Sequence, residues 1–234
     1  LAGEMPFNSG KSEEERAQEL AAEDLSELQG QIQRREEYMG ARLKQDGELQ
    51  IDGQGVNGTV KYGFKNLEVC GASDKWDVSN YDILGKLSEK AGVLLENGTN
   101  PDMLILGRRA AEALLNNSKI AKLIHHRQEV LPEETPRTGM NAGVQYLGRL
   151  VYVGLYLDVY CYSEFYYDAE AGSMQPYLDT DCAILQSSRE NNYMLYGAVS
   201  YIGEDGEFIT SMNEYVPYTV TSYDPPMRKL IVSS

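Results

Sequence analysis

The chain has 234 residues, 42% hydrophobic and 24% charged, which is enough apolar material for the core of one large domain or two modest ones. Thirty-six acidic against 21 basic residues leave a net charge of −15. Such a surface repels phosphate backbones and argues against tight or sequence-reading nucleic-acid binding.

Residues 1–11 read as a Gly-, Pro-, Asn- and Ser-rich loop. The stretch from Ser12 to Leu43 then predicts one long helix. Ser12 and Glu15 have the spacing of a capping box, and Glu13, Glu14 and Glu15 sit where the helix dipole favours carboxylates. Apolar residues follow at helical spacing (Ala17, Ala21, Leu25, Leu28, Ile32, Met39, Leu43) as one narrow stripe on a charged rod roughly 45 Å long. Gly30 and Gly40 mark places where it could bend or end. Arg35 falls on the stripe and the heptads are not kept up, which argues against a coiled coil. So thin a stripe suits a rod lying across a sheet or against neighbours.

"GQGVNG", Gly53 to Gly58, matches the G-x-G-x-x-G of dinucleotide-binding turns. That fingerprint needs a helix starting on its third glycine. Here β-rich residues follow instead, Thr59 to Phe64, and Glu48 to Ile51 alternates before it. The stretch is therefore expected to be a hairpin, with Asn57-Gly58 as its turn signal and no nucleotide bound.

Around Trp76 an amphipathic helix is expected, with Ile83, Leu84, Leu87, Val93 and Leu94 near one face and Asn97-Gly98 as its stop. Trp76 itself reads as a core anchor at the helix start. Pro101 to Gly107 reads as a buried strand and "RRAAEALLNNSKIAKLI" as a second helix, together a small α/β layer. A loop with Pro132, Pro136, Gly139 and Gly143 follows. Val144 to Tyr167 is almost all strand, with Val159, Cys161 and Ser163 on one face and Tyr160, Tyr162 and Glu164 on the other. "DAEAG" turns the chain, "DTDCAILQSS" supplies another strand, and the tail from Tyr196 is β-like with turns at "GEDGE" and "YDPP".

Catalytic patterns are missing. His125 and His126 are the two histidines, and adjacent helical residues point about 100° apart, so they cannot form an i, i+4 metal face. They read as solvated residues at a helix end. Asp179 and Asp181 could pair as carboxylates, but a polar strand entry explains them. No P-loop, nucleophile elbow or triad is visible, and no catalytic residue, metal or cofactor is expected. Cys70, Cys161 and Cys182 are odd in number and far apart, as reduced thiols would be. The most apolar run, "LVYVGLYLDVYCY", is too short to span a bilayer and carries Asp158, so no membrane partner is expected. No basic leader precedes an apolar run, so no signal peptide is expected, and the start on "LAGE" without Met fits a processed or partial chain. Seventeen tyrosines against four Phe and one Trp suit strands with a wet face, or extensive interfaces.

The order of elements carries more. "LAGE" before a capped helix containing "AAEDLSELQGQIQRREEYM", then "VKYGF", "WDVSNYDILGKL", "PDMLILGRRAAEALL", the tyrosine-rich "LDVYCYSEFYYDAEAGSMQPYLDTDCAIL" and "YDPPMRKLIVSS" resemble the phage major capsid protein E family of lambda-type head proteins. The resemblance implies an α+β, HK97-like capsid fold with a long spine helix, a peripheral β-sheet domain and an α/β axial domain. Residues 1–75 would hold the end of an extended loop, the spine helix and the peripheral hairpin. Residues 76–196 would be the axial domain, and 197–234 the returning strands and tail.

The implied function is a structural, non-enzymatic major capsid subunit of a tailed phage or prophage. It would assemble in the bacterial host cytoplasm into pentamers and hexamers of an icosahedral virion head around double-stranded DNA. Scaffolding, decoration and portal proteins would be further partners, and contact with packaged DNA would be non-specific. The resemblance places subunit-interface residues at Glu13, Arg34, Arg35, Glu36, Glu37 and Tyr38. It also implies an N-terminal arm and extended loop before "LAGE", and a proline-rich segment with another strand after Ser234. An encapsulating shell protein of the same fold, or a small-molecule-binding or enzymatic α+β domain, are the alternatives.

Overall fold

The computed structural model describes residues 12–53, 56–78, 81–120, 123, 143–169, 171–189, 193, 196–202, 207–212, 216–223 and 226–233. The chain divides into two compact units, residues 1–36 with 193–234, and residues 37–192.

Helix α1 runs Glu13–Asp46 without interruption through Gly30 and Gly40, about 50 Å at 1.5 Å per residue. Its start is the capping box expected of Ser12. The Glu15 amide donates to Ser12 Oγ at 3.2 Å and the Ser12 amide to Glu15 Oε2 at 2.9 Å, so two otherwise orphaned N–H groups are satisfied.

In the unit of residues 1–36 and 193–234, β9 (Val199–Ile202) pairs antiparallel with β10 (Phe208–Ser211). The strand β11 (Val216–Tyr223) pairs likewise with β12 (Pro226–Ser233). The turns expected at "GEDGE" and "YDPP" fall largely outside the described residues.

In the unit of residues 37–192, α1 ends at Gly47, which takes φ +67. There β1 (Glu48–Gly53) begins and pairs antiparallel with β2 (Val56–Lys61). The register joins Gly53 to Val56, while Asn57 and Gly58 pair with Asp52 and Ile51 inside the ladder. The hairpin expectation holds, but the reversal is nearer its start than Asn57-Gly58. Gln54 and Gly55 lie outside the described residues.

The second helix, α2 (Ile83–Glu96), starts later than Trp76 suggested. Residues 72–78 make turns, with the Val78 amide bonded to the Lys75 carbonyl, and Trp76 packs on the core from there. The expected stop is present in full. Gly98 takes φ +82, its amide bonds the Leu95 carbonyl at 2.9 Å, and the Thr99 amide bonds the Leu94 carbonyl at 2.9 Å. These are the paired bonds of a Schellman motif, which needs a left-handed residue at that position.

Strand β3 (Met103–Leu106) leads into α3 (Arg108–Asn116). The helix expected to run on from there breaks at Asn117, whose Oδ1 accepts the Lys119 amide at 3.1 Å and restarts a helical turn at 118–120. A side chain that competes for backbone donors accounts for the break. The long β stretch resolves into β4 (Val144–Tyr152), β5 (Leu155–Tyr162) and β6 (Phe165–Asp168), followed by β7 (Ser173–Pro176) and β8 (Ala183–Gln186).

Four strands form one sheet in the order β4-β5-β3-β8, with β3 parallel to β5 and antiparallel to β8. One face is apolar: Leu104 and Leu106 of β3, Leu150 of β4, and Leu157 and Val159 of β5 are each fully buried. Ile83, Leu84 and Leu87 of α2 and Ala110, Ala111 and Leu114 of α3 complete that core. Burying a Leu or Val side chain is worth about 1.5–3 kcal/mol. Along β5 the residues Leu155, Leu157, Val159 and Cys161 are buried and their neighbours are not, which is the alternation read from the sequence.

Candidate assembly surface

On the opposite face of the sheet, the last turns of α1 make polar contacts. Lys44 Nζ donates to Gln186 Oε1 at 2.7 Å on β8, and the Tyr162 hydroxyl at the end of β5 donates to a Glu37 carboxylate oxygen. Gln45 binds both the side chain and the backbone of Asp179, with Nε2 to Oδ2 at 2.6 Å and the Asp179 amide to Gln45 Oε1 at 3.0 Å. Beside these bonds runs an aromatic row. Tyr38 meets Tyr166 edge-on with centroids 5.1 Å apart, and Tyr166 lies 5.1 Å from Tyr177, which is 2% exposed. The Arg42 guanidinium sits 5.6 Å from the Tyr38 ring centre and 3.7 Å from Asp179. Burial, and next the Glu37 carboxylate, push the Tyr162 phenol well above its ordinary range.

The residues that the resemblance placed at a subunit interface therefore divide. Glu36 accepts the Tyr196 hydroxyl at 3.0 Å, and Glu37 and Tyr38 are engaged by Tyr162 and Tyr166 of the same chain. Arg34 and Arg35 are exposed. Glu13 begins α1, and its side chain lies outside the described residues. The residues that sequence reasoning missed are the partners Tyr162, Tyr166, Tyr177 and Arg42. For the three tyrosines the advance signal was the excess of that residue, and Arg42 had none.

A second surface lies on β4 and β5. Arg149 and Asp158 face each other across the ladder as a fork, Nε to Oδ1 at 2.5 Å and Nη2 to Oδ2 at 2.7 Å. Tyr146 donates its hydroxyl to Asp158 Oδ1 at 3.1 Å and lies 5.2 Å from Tyr160, centroid to centroid. Burial, followed by the Asp158 charge, pushes the Tyr146 phenol up to about 12. The hairpin turns at Val153-Gly154, where Gly154 takes φ +74 and Val153 is 83% exposed.

Asp179 and Asp181, read as a polar strand entry, have separate partners. Asp179 is held by Gln45 and Arg42, while Asp181 faces Arg109 at 3.2 Å. No group of three metal-ligating side chains stands together among the described residues. Cys70, Cys161 and Cys182 are free thiols, and burial pushes Cys182 up to about 11. His125 and His126 lie outside the described residues.

A family model, phage major capsid protein E, matches residues 3–234. The chain belongs to the phage major capsid protein E family. A solved structure of a protein described as the capsid protein of a prophage from E. coli CFT073 is similar over 99% of this chain and 68% of its own. Its TM-score is 0.67 at 16% sequence identity, a likeness of fold: α+β and capsid-like. No curated protein matches the sequence. As a member of the capsid protein E family, the protein is a structural subunit that assembles with its own copies into a shell, and its place is the virion. Among the described residues no helix is long and apolar enough to cross a membrane.

Proposed function

We propose that the protein is the major head subunit of a tailed phage or prophage, arranged as pentamers and hexamers in an icosahedral head around double-stranded DNA. The family match across residues 3–234 is the observation that carries this reading. The subunit works by packing and catalyses no reaction. Its net charge of −15 suits a container wall, because an acidic lining lets packaged DNA move instead of adhering to it. Assembly takes place in the bacterial host cytoplasm, with scaffolding, portal and decoration proteins as further partners.

In this reading residues 1–75 hold the spine helix and peripheral hairpin, 76–196 the axial domain, and 197–234 the returning strands. The long α1, followed by a hairpin and then by a helix-backed sheet, supports that order. Arg34 and Arg35, exposed on α1, are with Glu13 and the half-buried Glu36, Glu37 and Tyr38 the interface residues of that helix. Expression of the full-length protein followed by electron microscopy and sedimentation tests the reading. Rings or shells are the expected result, and a strictly monomeric full-length protein would overturn it.

A further inference from the structure

The β4–β5 hairpin breaks a local rule at its tip. Tyr152 pairs with Leu155, leaving a two-residue turn, Val153-Gly154. Gly154 supplies the positive φ that such turns need. Its neighbour is ordinarily Asn, Asp or Gly, and here it is an exposed Val. Tyr156, beside it on β5, is 57% exposed, and Tyr152 39%. No residue from Leu150 to Leu157 carries a charge.

Behind the tip, on the face that carries Tyr156 but not Tyr152, the charges of Arg149 and Asp158 meet. The Arg149 charge is cancelled by the two-pronged contact with Asp158, and the Tyr146 and Tyr160 rings follow. The edge of the sheet is β4 itself, so nothing of the four-stranded sheet extends past this strand.

Electrostatics select the occupant. Two copies at −15 repel wherever acidic surfaces meet, and a neutral face is where they approach without that penalty. Among the described residues of the tip, Leu150 to Leu157, a nucleic acid or a charged peptide finds no charge to bind. Tyrosine around a neutralised arginine, with an apolar tip, is the composition of a protein–protein contact. A shell-forming family presents many copies of the same surface at high local concentration.

We infer that the β4–β5 tip, Tyr152 to Tyr156, with the Tyr146–Tyr160 face behind it, is a contact between neighbouring copies of this chain in the shell. The inference rests on the capsid-subunit reading and names one of its contacts.

The test uses the full-length protein with Val153→Asp and, separately, p-benzoylphenylalanine in place of Val153. The Asp variant is expected to keep the circular dichroism and melting of the parent, since Val153 is 83% exposed in the free chain. Its particle yield should fall by about tenfold or more, the effect of roughly 1.4 kcal/mol lost per contact. Irradiated particles of the second variant should yield a covalent dimer whose cross-link joins position 153 to another copy. Particles of Val153→Asp at parental yield, or a cross-link only to an unrelated protein or within one chain, would overturn the inference alone. A parent that forms no particle overturns the capsid-subunit reading, and this inference with it. Should the Asp variant misfold, the cross-linking result decides.

Discussion

The Tyr162 hydroxyl donates to the Glu37 carboxylate, tying the end of β5 to the last turns of α1 across 125 residues of sequence. This bond, with the Tyr38–Tyr166 contact beside it, fixes the last turns of a long and thinly apolar helix to the sheet. Tyr162→Phe removes the donor and leaves a half-buried carboxylate without it. The expected cost is about 1–3 kcal/mol in urea-induced unfolding of residues 37–192 within the whole protein. An unchanged midpoint would mean that water replaces the hydroxyl.

Alkaline pH should destabilise the fold through its tyrosines. Burial raises Tyr81, Tyr146, Tyr160, Tyr162 and Tyr166 above the usual phenol range, Tyr146 to about 12. A group whose folded pKa is raised contributes stability fully below its unfolded value, about 10 for tyrosine, and loses it as pH rises through the folded value. Melting temperature should therefore fall from about pH 10 upward. Ultraviolet titration should show these phenols ionising late, or together with unfolding.

Asp102 predicts the opposite dependence. Its carboxylate accepts the Ser188 amide at 2.6 Å and the Ser188 hydroxyl at 2.5 Å, clasping the turn after β8 to the start of β3. The Ser188 hydroxyl holds it below the ordinary carboxylate range. A depressed folded pKa contributes stability above the unfolded value, about 3.9, that is lost as pH falls through the folded one. Asp102→Asn should lower stability at neutral pH, and the gap to the parent should close on acidification below about pH 4. A gap independent of pH would show that shape, not charge, matters there.

Two core substitutions test the sheet and its helices. Leu104, fully buried at the centre of the four strands, should cost about 2–5 kcal/mol as Leu104→Ala. Gly107 is a sharper case, since a Cβ there would overlap the carbonyl oxygens of Asp179 and Thr180. Backbone cannot yield as a side chain does, so Gly107→Ala should displace the start of α3 and lower soluble yield. A melting curve like the parent's would show that the β3–α3 corner can open.

Thiol chemistry separates the cysteines. Cys70 is exposed, whereas Cys161 is buried and burial raises the thiol pKa of both Cys161 and Cys182. Since the thiolate is the reactive form, one equivalent of an aromatic disulfide reagent should react quickly at pH 8, and the other two only in denaturant. Quick reaction of all three would show that residues 155–182 open readily.

Much of the architecture was legible because its signals are local. The capping box at Ser12 and Glu15, the stop at Asn97-Gly98 and the alternation of β5 each need only a few neighbouring residues, and each formed as written. Where the reading of the helices slipped, a local competitor was at work. Turn bonds around Lys75 and Val78 delayed α2, and the Asn117 side chain interrupted α3. The order of segments, more than any motif, pointed to the family that matches residues 3–234.

The amino-acid sequence by itself determined where α1 begins, where α2 ends, which side of β5 is apolar, and that the subunit is strongly acidic. The tertiary structure alone decided that Glu37 and Tyr38 meet Tyr162 and Tyr166 of the same chain while Arg34 and Arg35 stay exposed, and that Asp158 pairs with Arg149 beside an apolar tip. Caps and periodicities follow from backbone geometry over a turn or two. The partner of a charge or a phenol depends instead on the register between strands and on which helix end crosses them, and no stretch of a few residues carries that.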